Sequence, residues 1–152
     1  MRKLWRTLVS GVVSTVIMMF LLLLIDIQTR ARLLLFETLA RLFGLPGRVG
    51  LGFLVAVFFG VVVWPALFVA AEPYLPPEGD EAVSGMLFAT ALWVGFLLIG
   101  TAEIPLFLFP FYAAVTLITH LVYGFVLGLV YGWEPLAANR SSMGQRMNGG
   151  EG

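Results

Sequence analysis

The chain has 152 residues, 60% of them hydrophobic and 12% charged, and its nine basic and nine acidic side chains cancel to a formal net charge of zero. Soluble domains carry about 25% charged residues, so this chain has too little charge for a surface that faces water. A balanced charge without a basic block argues against a nucleic-acid-binding protein, and the lack of cysteine excludes disulfides, thiolate metal sites and thiol nucleophiles.

Four apolar runs dominate the sequence and carry almost no charge. They cover residues 8–25, 49–71, 82–99 and 104–130. A helix rises about 1.5 Å per residue, so about 20 apolar residues cross the roughly 30 Å hydrocarbon core of a bilayer. The runs therefore predict an all-α integral membrane protein with a single four-helix transmembrane domain over residues 1–131. The first run is longer than the apolar region of a signal peptide, about 7–15 residues, which favours a retained first helix.

A short amphipathic segment, residues 29–43, separates the first two runs. Arg30 and Arg41 fall on one narrow stripe, and leucine and phenylalanine fill the opposite arc. The segment is too short and too charged to cross a bilayer, which predicts a helix lying in the membrane interface and ending at the Gly-Leu-Pro-Gly sequence of residues 44–47. We expect Arg30, Arg41 and Arg48 to contact lipid headgroups, since a basic side chain near an anionic leaflet contributes about 1 kcal/mol.

Small residues at helical spacing predict close contacts between helices. Because lipid removes the hydrophobic drive between helices, small side chains matter by letting two backbones approach and pack. The predicted packing positions are Gly11 in the first run, Gly52, Ala56 and Gly60 in the second, and Gly124 and Gly128 in the fourth. The Trp64-Pro65 pair in the second run predicts a kink there.

The two ends of the chain set the expected orientation. Residues 132–152 are rich in Asn, Ser, Gly and Gln and predict a disordered polar tail. The basic residues divide almost evenly between the two sides of the bilayer, and the cluster ahead of the first run favours cytoplasmic termini. The expectation is a multi-pass protein of the cell membrane with both termini in the cytoplasm.

His120 is the only histidine and lies well inside the fourth run, with Thr116 one turn before it and Tyr123 beside it. An ionisable residue at membrane depth costs free energy, which makes it a candidate functional group. The favoured interpretation is a neutral imidazole that hydrogen-bonds a backbone carbonyl or Thr116 on a neighbouring helix. Two functional alternatives remain: an axial ligand of a haem, and a relay in a proton, ion or solute pathway with Tyr123 and Glu103. A metal site needs several N, O or S ligands, so none is predicted on His120 alone.

No catalytic constellation emerges from the remaining residues. The sequence has no nucleophile elbow, phosphate loop or paired-histidine motif, so neither an enzyme nor a resident cofactor is predicted. The leading hypothesis is a non-enzymatic structural or accessory helix bundle in the lipid bilayer, which associates with itself or with a larger membrane complex such as a respiratory oxidase. The alternatives are a small proton, ion or solute pathway through His120 and Glu103, and a haem-binding membrane subunit through His120.

Two stretches resemble a known family. Residues 120–132, which open with a His-x-x-Tyr-Gly pattern, are similar to the closing helix of small four-span archaeal, chiefly haloarchaeal, membrane proteins classed as a domain of unknown function. Residues 11–19, followed by the basic amphipathic segment that ends in Leu-Pro-Gly, resemble the same family. The resemblance implies a four-helix membrane protein and supplies no activity.

Overall fold

The computed structural model describes residues 2–29, 36, 40–41, 43–75, 80–100, 106–107 and 109–133, and the regular elements in these ranges are all helical. The α-helices are α1 (Arg2–Thr29), α2 (Val49–Phe58), α3 (Trp64–Ala71), α4 (Glu81–Gly100) and α5 (Phe109–Gly132). A π-helical turn, Phe59–Val63, joins α2 to α3, and a 3-10 turn, Glu72–Tyr74, follows α3. We call this continuous helical stretch, Val49–Tyr74, the second span.

Four helical stretches are long and apolar enough to cross a membrane: Lys3–Ile25, Val49–Tyr74, Glu81–Leu98 and Phe109–Gly132. Each of them exposes large apolar side chains, among them Phe20, Leu54, Leu98 and Ile118. Faces of this kind are unfavourable in water, because removing apolar surface from water gains about 25 cal/mol per Å². The prediction of an all-helical fold with four long apolar helices is confirmed for the described residues.

The helices do not begin and end where the apolar runs do. α1 begins at Arg2 and continues to Thr29, so polar residues at both ends keep a helical backbone. α5 begins at Phe109 and follows a turn at residues 106–107. Pro110 therefore lies in the first turn of α5, where its missing N–H costs no intrahelical hydrogen bond.

The backbones of α4 and α5 touch along one line. A Cβ atom added to Gly124 would collide with the Gly85 carbonyl oxygen and with the Ala89 side chain. A Cβ atom on Gly128 would likewise collide with the Glu81 carbonyl oxygen. Only hydrogen atoms fit between the helices at these positions, which is how small residues stabilise helix pairs in lipid.

Two apolar cores lie in different halves of the bundle, and Met18 packs against both of them. The start of α1, the 3-10 turn, the start of α4 and the end of α5 meet at one end, which we call the terminal end; the other is the distal end. The terminal core consists of Phe68, Phe88, Tyr123, Leu127 and Tyr131. The distal core consists of Met19, Leu22 and Ala56. The second span contributes Phe68 to one core and Ala56 to the other, and its π turn lies between them.

The segment after α1 packs against α2 at the distal end. Ala40 is 1% exposed, and a Cβ atom on Gly52 would collide with the Phe36 carbonyl oxygen. This segment ends in a Schellman motif, in which Gly44 N–H donates to the Arg41 oxygen and residue 45 N–H to the Ala40 oxygen, both at 2.8 Å. Most of the predicted interfacial helix over 29–43, loop residues 76–79 and tail residues 134–152 lie outside the described residues.

Candidate functional site

An arginine, a tyrosine and a carboxylate from three helical elements meet at the terminal end. The Arg6 guanidinium donates a hydrogen bond to the Tyr131 carbonyl oxygen and lies over the Tyr131 ring, with its Cζ 5.3 Å from the ring centroid. The Tyr131 hydroxyl donates to Glu72 Oε2 at 3.0 Å. We call these three residues the terminal network. It joins α1, α5 and the 3-10 turn after α3.

The position of Tyr131 explains why a cation lies here. Tyr131 is in the last turn of α5, whose final carbonyl oxygens have no intrahelical donor. A cation near these oxygens stabilises the negative end of the helix dipole by about 0.3–1 kcal/mol, and a cation over an aromatic face contributes about 0.5–2 kcal/mol. Arg6 Nε is buried and has no hydrogen-bond partner among the described residues. The groups that face this charge are the Tyr131 carbonyl oxygen and the Tyr131 ring.

Midway along the second span, one backbone carbonyl lacks a helical donor. The Trp64 N–H donates to the Phe59 oxygen, five residues back, and Pro65 has no N–H. Neither of the donors that could reach the Gly60 oxygen in an α-helix or a π-helix is therefore available. The Tyr123 hydroxyl of α5 donates to this oxygen at 2.6 Å. A side chain from another helix thus replaces the missing backbone donor.

Two residues of α1 pack tightly against this part of the second span. A Cβ atom on Gly11 would collide with the Val61 carbonyl oxygen and the Pro65 ring, and one on Gly60 would collide with the Thr15 hydroxyl. Thr15 is 3% exposed, and its Oγ1 lies beside the Tyr123 hydroxyl without hydrogen-bond geometry to any described group. We call Thr15, Gly60 and Tyr123 the hinge site. There α1, the second span and α5 converge.

His120 is half-buried near the middle of α5. Its Nδ1 lies 2.7 Å from the Thr116 carbonyl oxygen. Because a carbonyl only accepts, Nδ1 carries the proton of the neutral ring and donates it to this bond, and Nε2 presents a lone pair. The Phe96 ring of α4 lies against the imidazole, with the two centroids 5.6 Å apart. This arrangement satisfies one ring nitrogen locally and leaves the other able to accept a proton or to ligate a metal.

Buried hydroxyl groups of α1 and α5 mostly bond within their own helices. Ser10 donates to the Thr7 oxygen at 2.9 Å and Ser14 to the Ser10 oxygen at 2.7 Å. Thr116 donates to the oxygen of residue 112 at 2.8 Å, and its hydroxyl oxygen also accepts from Trp93 Nε1 of α4 at 3.1 Å. Such local bonds satisfy polar groups in an apolar interior.

The predicted packing residues lie at several different contacts. Gly11 and Gly60 lie between α1 and the second span, Gly124 and Gly128 between α5 and α4, Gly52 against the backbone of residue 36, and Ala56 in the distal core. The three second-run positions form one stripe in sequence, yet they face different neighbours. The stripe therefore serves more than one interface.

The predicted headgroup contacts are only partly within the described residues. Arg41 and Arg48 are exposed at the distal end. Arg30, and Glu103 of the predicted pathway, lie outside the described residues. In the described ranges, no group of three or more His, Cys, Asp or Glu side chains could hold a metal ion.

Sequence reasoning missed both the terminal network and the hinge site. In the sequence, Arg6 belongs to the basic residues ahead of the first run and Tyr131 lies at the end of the fourth run. The two residues are 125 positions apart. No local pattern connects them. The sequence does contain one indication of the hinge site. Pro65, five residues after Gly60, has no N–H, so the Gly60 carbonyl oxygen needs a hydrogen-bond donor from another part of the chain.

Comparison with known proteins identifies a family and no activity. The chain belongs to the Family of unknown function (DUF6789), which matches residues 1–141. Neither a curated protein nor a solved structure matches the chain. The expected membership of an uncharacterised family is confirmed.

Proposed function

We propose that this member of the DUF6789 family is an integral membrane protein with four spans and cytoplasmic termini, and that it acts as a non-enzymatic structural or accessory bundle. The apolar outer faces of all four long helices support insertion into a bilayer. The bundle associates with itself or with a larger membrane complex. The resemblance to haloarchaeal proteins extends the proposal to an archaeal cell membrane.

The observation that carries this proposal is the use of polar side chains between helices. Four side chains each donate a hydrogen bond to a helical element other than their own: Arg6, Trp93, Tyr123 and Tyr131. Hydrogen bonds between helices in lipid contribute about 0.6 kcal/mol each on average. Side chains used in this way hold helices in register, which favours a structural role over chemistry.

Purification in a mild detergent tests the accessory role. The mass of the protein component of the purified particle is measured by light scattering, and companions are identified by mass spectrometry. We expect either a defined oligomer or a companion present in a constant ratio. A particle that is strictly monomeric and has no companion contradicts the proposal.

The orientation can be measured because the chain contains no cysteine. One cysteine replaces Phe107, which is 80% exposed at the distal end, and another, in a separate variant, replaces Ser142 in the tail. With cytoplasmic termini, a membrane-impermeant thiol reagent added to intact cells labels position 107 and not position 142. The opposite pattern reverses the orientation.

A proton, ion or solute pathway through His120 and Glu103 is the second candidate. The bond between His120 Nδ1 and the Thr116 oxygen favours it, because Nε2 keeps a lone pair that can take up a proton. Protein reconstituted into liposomes with an internal pH dye should then conduct protons, and His120→Ala should stop the flux. Equal flux in the variant and the native protein removes this candidate.

A haem-binding subunit is the third candidate, and it uses the same nitrogen. Histidines that ligate a metal usually donate their other N–H to a carbonyl or carboxylate, as Nδ1 of His120 does. Haem added to the purified protein should produce a Soret band that His120→Ala lacks. A sample without a Soret band rejects haem binding.

A further inference from the structure

α5 bonds to the second span at two places, one ahead of α3 and one just beyond its end. Tyr123 bonds to Gly60 in the π turn, four residues before α3 begins, and Tyr131 bonds to Glu72, directly after α3 ends. The two tyrosines are eight residues apart on one helix, about 12 Å along its axis. The first bond therefore lies at the π turn and the second at the far end of α3.

The two halves of the second span pack in different places. Phe68 of α3 is buried in the terminal core, where its ring lies 5.5 Å from each of Phe88 and Tyr131. Ala56 of α2 belongs to the distal core. Between the two halves, the π turn and Pro65 interrupt the regular α-helical hydrogen bonds. The second span is therefore least supported by its own backbone at the place where its packing partners change.

We propose that the π turn is a hinge, and that α3 is an arm held on α5 by Tyr123 and Tyr131. With both bonds made, α3 is held beside α5 and Phe68 stays in the terminal core. With both bonds broken, α3 and Glu72 move away from α5 by rotation at the π turn, while α2 keeps its place against the distal core. Interruptions of this kind in a helix are where helices bend.

The bond between Tyr131 and Glu72 shows that α5 holds more of the second span than the π turn alone. A π turn with one orphan carbonyl needs only the Tyr123 donor to be satisfied. The Tyr131 bond reaches Glu72 beyond the far end of α3, where no helical irregularity requires it. A bond at the pivot together with a bond beyond the far end of α3 restrains the angle of this helix, which the bond at the pivot alone does not.

Spin-label distances in lipid nanodiscs test the hinge. One pair of cysteines replaces the exposed Leu67 of α3 and Leu129 of α5, and a second pair replaces the exposed Leu54 of α2 and Ile118 of α5. Tyr123→Phe and Tyr131→Phe, singly and together, remove the hydroxyl groups and keep the rings. Tyr74→Phe is the matched control, because Tyr74 lies in the same 3-10 turn as Glu72 and is 90% exposed.

We expect the double variant to broaden the 67–129 distance distribution, or to add a longer distance, and to leave the 54–118 distribution unchanged. The Tyr74→Phe control should match the native protein at both pairs. An unchanged 67–129 distribution in the double variant overturns the proposal. So does equal broadening at both pairs, since that shows general loosening rather than rotation at the π turn.

Discussion

The terminal and distal halves of this bundle are held together by different interactions. The terminal half combines charged groups with aromatic rings: Arg6 lies over Tyr131, Tyr131 bonds to Glu72, and Phe68 packs edge-on against Tyr131. The distal half contains a neutral hydrogen bond from Trp93 to Thr116 and a small apolar core.

The difference follows from what each half must satisfy. At the terminal end the last carbonyl oxygens of α5 come against α1, and an arginine there supplies both a donor and a positive charge. At the distal end the segment around Ala40 lies so close to α2 that only glycine fits at position 52. Close backbone contacts at glycine therefore occur in both halves, and the terminal half adds a charged group that satisfies the end of α5.

The largest expected effect separates the two halves of α4. Gly85→Leu places a side chain against the backbone of α5, which cannot move aside by a rotamer change, and should lower the free energy of unfolding by about 3 kcal/mol. Gly95→Leu on the distal part of α4 is the control, because nothing lies within 4 Å of a Cβ there. Thermal unfolding in detergent measures both. Equal unfolding midpoints for the two variants would contradict a direct backbone contact between α4 and α5.

The next effect tests packing at the distal end. Gly52→Ala drives a methyl group into the Phe36 carbonyl and should cost about 2 kcal/mol of unfolding free energy. Gly50→Ala, two residues earlier, meets open space and should have little effect. If both variants have the same unfolding midpoint as the native protein, the segment after α1 does not pack against α2.

A smaller effect is expected from the charge at the terminal end. Arg6→Met removes the hydrogen bond and the cation over the ring, and should cost about 1–2 kcal/mol in the same unfolding measurement. Lys3→Met removes a charge from an exposed position on the same helix and should change the midpoint little. Equal losses in the two variants would assign the effect to net charge and not to the terminal network.

The smallest effect comes from one hydroxyl group. Tyr131→Phe breaks the bond to Glu72 and should cost about 0.6 kcal/mol, the average for such bonds in lipid. A double-mutant cycle with Glu72→Met, which removes the acceptor, isolates the pair, and Tyr74→Phe serves as control. Additive losses would show that the two side chains do not interact.

The helices were predictable from the sequence because their cause is local. A run of apolar residues long enough to cross a bilayer can be recognised from the run itself, and all four runs correspond to long helices. The turn at residues 44–47 was predictable for the same reason, since glycine at positive φ and proline mark it directly. The Trp64-Pro65 pair indicated an irregular helix, and the irregularity lies in the π turn directly before it.

The polar contacts between helices were not predictable, because their cause is tertiary. No residue pattern near Arg6 predicts a contact with Tyr131. No pattern near Gly60 predicts a contact with Tyr123, which is 63 residues away. The partner of His120 is a backbone carbonyl, as expected, but it belongs to Thr116 one turn earlier in the same helix and not to a neighbouring helix. Contacts inside a helix follow from spacing, whereas contacts between helices require the packed structure.

Alkaline extraction of membranes tests the central claim most directly. Carbonate at high pH strips peripheral proteins from membrane sheets and leaves proteins whose helices cross the hydrocarbon core. With four apolar helices inserted, the native chain should remain in the pellet and enter the supernatant only when detergent is added. Release by carbonate alone would mean that the exposed apolar faces are covered by something other than lipid, and would contradict a four-span membrane protein.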